Sequence, residues 1–132
     1  MSKSVTVDLI TDDPVHREFV LHLVEEDPWN VPDIINRMLA VQDRLYDSVD
    51  LIIGGHLAEK YPESNGRKIR IQIDCLNEPK ELHDFVARFS KHMESDAEYR
   101  EAIRSSPHLT SLRIIANKLR SEPDVVLSVP NA

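Results

Sequence analysis

The stretch from Lys68 to Cys75, Lys-Ile-Arg-Ile-Gln-Ile-Asp-Cys, alternates polar and apolar residues without a break. Strand side chains point to opposite faces with period two. Ile69, Ile71, Ile73 and Cys75 therefore share one face, and Lys68, Arg70, Gln72 and Asp74 the other. Such a strand needs a core on one side only. It predicts a sheet covered by helices on one face, with its second face left polar.

The flanking patterns supply the other elements. Val5 to Ile10 alternates Val5, Val7 and Leu9 against Thr6, Asp8 and Ile10, and Thr11-Asp12-Asp13-Pro14 reads as a turn. Glu18 to Val24 is a second strand, Phe19, Leu21 and Leu23 opposing Val20, His22 and Val24, paired with the first as a hairpin. From Pro32 the period lengthens. Ile34 or Ile35, Met38, Val41, Leu45, Val49 and Ile52 mark a helix that Asn30 or Asp33 can cap and that Gly54-Gly55 ends or weakens before Lys60. After Cys75, Asn77 can cap a helix with Pro79 in its first turn and Leu82, Phe85, Val86, Phe89 and Met93 along one stripe. Ser95-Asp96-Ala97-Glu98 has the form of a capping box for a short helix through Ile103. Ser106-Pro107 opens a last helical candidate with Leu109, Leu112, Ile115, Ala116 and Leu119 on one face, although Leu109 to Ile115 also fits a strand. Asp124 to Val129 is β-rich. The expectation is one α+β domain over residues 1–132, a two-layer sandwich of order ββαβαα. It has a small, mostly antiparallel sheet with helices on one face, and residues 122–132 form an edge strand or a loose tail.

At 132 residues the chain is long enough for a self-sufficient core. Its single cysteine excludes an internal disulfide and fits a reducing compartment, so a cytoplasmic location is expected. No apolar run approaches the ~18 to 20 residues that span a bilayer, and Met-Ser-Lys-Ser-Val lacks a signal-peptide core. The net charge of -7 is concentrated in the first 33 residues, where eight carboxylates face only Lys3 and Arg17. That balance disfavours nucleic acid and favours a basic protein partner; the plainer reading is a set of solvated turns that aid solubility.

Val7-Asp8-Leu9-Ile10, the apolar second strand ending near Trp29, the long helix leading to Gly55-His56-Leu57, Tyr61-Pro62, Gly66 and the Ile69, Ile71, Ile73 strand together resemble a family of small bacterial proteins catalogued only as a domain of unknown function. The resemblance covers about residues 5 to 95. It implies a bacterial cytoplasmic origin and the ββαβα order, and it assigns no catalytic residue.

Strand parity gathers Asp8, His22, Arg70, Gln72 and Asp74 on the open sheet face, the composition of a general base with an orienting carboxylate, or of a small metal site. The plainer reading is a solvated face laced with ion pairs, and a one-residue slip would turn His22 inward. His56, behind Gly54-Gly55 and near Tyr61, either lines a cleft or ends a helix. His83 and His92 are nine residues apart and cannot share a metal as an i, i+4 pair would; His16 and His108 suggest nothing. Gly54-Gly55 lacks a phosphate-loop pattern. The carboxylate-rich turns Thr11 to Pro14 and Glu25 to Pro28 fall at opposite ends of the hairpin and match no calcium loop, so neither a metal nor a cofactor is expected. Cys75 reads as an inert core thiol, and Trp29 as a plug between hairpin and helix or an exposed anchor.

Two functions follow from these features. The first is a noncatalytic, immunity-protein-like binding module that presents an acidic hairpin, Asp12, Asp13, Glu25, Glu26 and Asp27, to a basic partner. The alternative is a small hydrolytic enzyme using His22 or His56 as base with Asp8 or Asp74 in support. A homodimer joined through Val20, Val24 and Ile10 would compete for the same face.

Overall fold

The computed structural model describes residues 7, 9–25, 34–75 and 80–118. Asp8, Glu26, Asp27, Trp29, the helix-start residues Asn30, Asp33, Asn77 and Pro79, and the segment 122–132 lie outside the described residues.

A hairpin opens the fold, with β1 (Leu9–Asp13) antiparallel to β2 (Glu18–Glu25). The first strand runs on past the end that the alternation predicts, and Thr11 to Asp13 are strand rather than turn. Asp13 is the cause: its Oδ1 accepts the backbone N–H groups of Val15 (3.0 Å) and His16 (3.2 Å), which places the reversal at residues 14–17. Arg17 completes that turn at φ 58°.

From β2 the chain crosses by α1 (Ile34–Ile53), α2 (His56–Lys60) and a 3-10 turn (Pro62–Ser64) to β3 (Arg67–Cys75). From β3 it crosses by α3 (Lys80–Ser95) and α4 (Ala97–Ser105) to β4 (Leu109–Lys118). The described sheet has the order β1-β2-β3-β4. Both crossovers return the chain to the end where the preceding strand began, so β2, β3 and β4 are parallel and only the hairpin is antiparallel. This corrects the expected mostly antiparallel sheet. The last helical candidate is also corrected, because residues 109–118 form β4. Thr110, Ile114 and Ile115 are β-branched, and once paired with β3 the segment alternates Leu112, Ile114 and Ala116 against Ser111, Arg113, Ile115 and Asn117.

Ile69, Ile71, Ile73 and Cys75 are buried in one core cluster with Phe19, Leu21 and Leu23 of β2. Above them lie the α1 stripe Val41, Leu45, Val49 and Ile52 and the α3 stripe Leu82, Val86, Phe89 and Met93. Both stripes follow the helical repeat, so each helix buries one face. Leu57 of α2 and Tyr99 and Ile103 of α4 pack on the same core, so every described helix belongs to one layer. Asp96 caps α4 by accepting the Tyr99 N–H at 3.1 Å. Tyr99 in turn donates its hydroxyl to Asp50 of α1 at 3.1 Å. Burial, and then the Asp50 carboxylate, push that phenol up to about 12.

Candidate functional site

The second face of the sheet carries residues in strand register. Leu9 lies opposite His22, His22 opposite Gln72, and Asp74 opposite Asn117. Diagonal neighbours on this face are within reach of polar side chains. His22 uses both diagonals. Its Nδ1 lies 2.8 Å from Asp74 Oδ2, and its Nε2 lies 2.8 Å from Thr11 Oγ1.

The other oxygen of Asp74 accepts from Gln72 Nε2 at 2.7 Å and from Asn117 Nδ2 at 2.9 Å. A carboxylate offers acceptors only, so Nδ1 of His22 carries a ring hydrogen, and in the neutral imidazole Nε2 accepts the Thr11 hydroxyl. The result is a hydroxyl–imidazole–carboxylate relay drawn from β1, β2 and β3 and steadied from β4. It is mostly withdrawn from solvent, with the His22 and Asp74 side chains 12% and 8% exposed.

Towards the hairpin turn the same face is an ion-pair network. Glu18 accepts from Arg70 at 2.6 Å and from both prongs of Arg113 at 2.8 Å. Arg70 continues from β3 across Val20 of β2 to Asp13 of β1 at 2.9 Å, and Val20 beneath it is fully buried. Asp13 also meets His16 Nδ1 at 2.8 Å, and His16 and Arg70 hold its carboxyl well below the usual range. One ligand atom each from Asp13, His16 and Glu18 lies within 4.8 Å of the others, which could gather a cation. Two arginines already compensate those carboxylates, so the donor set does not favour a metal.

A cleft of about 610 Å³ opens between β1 and the α1–α2 corner, and Thr11, Ile10, Phe19, His56 and Tyr61 contribute to its lining. His56 thus lines a cleft beside Tyr61.

Of the residues singled out for the open face, His22, Gln72 and Asp74 come together, while Arg70 belongs to the Glu18 network. The hairpin carboxylates among the described residues, Asp12, Asp13 and Glu25, are dispersed and compensated. Asp12 is gripped by both prongs of Arg67 at 2.8 and 3.2 Å, and Glu25 is held by Arg37 and Arg44 at the far end of β2. Ile10 packs against the core, on the face opposite Val20 and Val24, so these three do not form one dimer patch. Thr11 and Asn117 were not singled out by sequence; the β-branched Thr11, two positions from Leu9, was the available signal for the first.

Fold and site define a small α+β domain whose polar sheet face carries a Thr–His–Asp relay. The chain belongs to a family of unknown function, DUF6572, whose model matches residues 1–103. No curated protein and no solved structure matches it. Among the described residues no helix is long and apolar enough to cross a membrane.

Proposed function

We propose that this protein is a small hydrolase that transfers an acyl group through Thr11, with His22 as general base and Asp74 as the group that orients it. The observation that carries this reading is the unbroken chain of contacts Thr11 Oγ1, His22 Nε2, His22 Nδ1 and Asp74 Oδ2, both links at 2.8 Å. Thr11 Oγ1 would attack the acyl carbon of an ester while its proton passes to His22 Nε2. As the carbon–oxygen bond to the leaving alcohol breaks, that alcohol takes the proton. Water then attacks the Thr11 ester with His22 again as base, and release of the carboxylic acid restores the hydroxyl. β1 is an edge strand among the described residues, so alternate backbone N–H groups along it point away from β2 and can donate to a developing oxyanion.

The test is exposure to p-nitrophenyl acetate, with p-nitrophenolate release followed beside peptide mass mapping. One acetyl group on Thr11 is expected, and Thr11→Val or His22→Ala should lower the rate at least about a hundredfold. Equal rates in both variants with no acetyl on Thr11 would refute the reading.

The binding-module reading draws on the net charge of -7. Against it, Asp12, Asp13 and Glu25 each already face an arginine, which leaves less uncompensated charge to steer a basic partner.

A further inference from the structure

The cleft beside β1 has the size of a small-molecule site, for which ~300–1,000 Å³ is usual, and about 610 Å³ is available here. Its floor is apolar, built from Ile10, Phe19, Leu51 and Leu57. An apolar ligand body is favoured on such walls, because burial against them removes its surface from water. The polar rim is asymmetric. Asp12 is consumed by Arg67, whereas no described side chain pairs with the exposed ammonium of Lys60. Glu63 shares that rim and opposes an anion there, which makes Lys60 the group an oxygen-bearing ligand end would seek.

We propose that this cleft binds an apolar acyl chain of medium length, with its carboxylate or ester end toward Lys60. Binding of the chain on the helix side of β1 stands apart from the hydrolytic reading at Thr11 on the other face.

Calorimetric titration of the Thr11→Val protein with butanoate, hexanoate, octanoate and 1-hexanol separates the two. Each added pair of methylenes should tighten binding about fifteenfold, from the transfer free energy of a buried CH₂. Lys60→Gln should weaken the carboxylates about fivefold and leave 1-hexanol unchanged, the difference expected of a partly solvated ion pair. Ile10→Trp should fill the cleft and abolish binding. His56→Glu places a charge on the helix side of the same cleft at an exposed position, so it reports on the site even if the tryptophan variant does not fold.

Absence of heat with every ligand, affinity independent of chain length, or binding that survives both cleft variants would overturn the inference. Chain-length-dependent binding without any acetylation of Thr11 would uphold the cleft and refute the hydrolase; acetylation without chain binding would do the reverse.

Discussion

Arg113 on β4 and Glu18 on β2 stand 95 residues apart in the chain and meet in a two-pronged ion pair, both contacts at 2.8 Å. Arg70 lies on the strand between them and completes the neutralisation of Glu18. The Arg113 guanidinium holds the Glu18 carboxyl below its ordinary 4.5, against the burial that pushes it up, and Arg70 adds to the effect. A carboxyl depressed in the folded state favours folding fully above its unfolded value and loses that contribution as pH falls toward the folded one. Asp13 shifts in the same direction from 3.8.

Glu18→Gln is therefore expected to cost about 1.5–3 kcal/mol at pH 7, the range for hydrogen bonds to charged groups. The deficit should shrink as pH drops below about 4.5, the unfolded value. Urea unfolding of both proteins between pH 7 and 3 checks this. A deficit constant across that range would show that the carboxylate charge is not what Glu18 contributes.

Gly55 and His108 set the corner between α1 and α2. Gly55 has φ +90°, and a Cβ placed there would lie 2.7 Å from the His108 ring. Gly66, at φ +76°, has nothing within 4 Å of the same construction. Both alanine substitutions carry the left-handed backbone cost of about 1–2 kcal/mol, but only Gly55→Ala adds a steric one. Gly55→Ala should thus lower stability more than Gly66→Ala. In a His108→Ala background the gap should close, which thermal unfolding of the four variants measures.

Cys75 has no exposed surface and ends the β3 row facing the core. Its thiol should react with an aromatic disulfide reagent only through opening of the sheet, so the labelling rate should rise with urea in step with unfolding. Fast labelling in the absence of denaturant would place Cys75 in a region that opens locally.

How far these features were legible in the sequence depends on whether their cause is local. The alternation of Lys68 to Cys75 is a local property, and with the parity of β2 it put His22 and Asp74 on one face. Thr11 escaped because Thr-Asp-Asp-Pro has turn composition, and only the Asp13 side chain, by taking the Val15 and His16 N–H groups, moves the turn onward. Strand direction escaped for a different reason. Leu109 to Ile115 fits a helical stripe as well as a strand, and its pairing with β3 decides between them. Pairs such as Arg67 with Asp12, 55 residues apart, depend on register across strands, which no local pattern encodes.

The relay itself makes a prediction that separates chemistry from structure. In the wild-type protein Asp74 can only accept, so in the neutral imidazole the His22 hydrogen sits on Nδ1 and Nε2 faces the Thr11 hydroxyl as an acceptor. Asp74→Asn keeps the shape and retains one oxygen for Gln72 and Asn117, but it turns an amide N–H₂ toward His22 Nδ1. The imidazole must then carry its hydrogen on Nε2 and donate to Thr11, which removes the base without emptying the site. Long-range nitrogen–proton NMR should show the Nδ1-H tautomer in the wild type and Nε2-H in the variant. Acetylation of Thr11 should fall at least about a hundredfold, while Thr11→Val, at a half-exposed edge position, should cost less than about 1 kcal/mol of stability. An unchanged acetylation rate alongside a switched tautomer would mean that these contacts only satisfy polar groups on a half-buried sheet face, and the hydrolytic reading would fall with it.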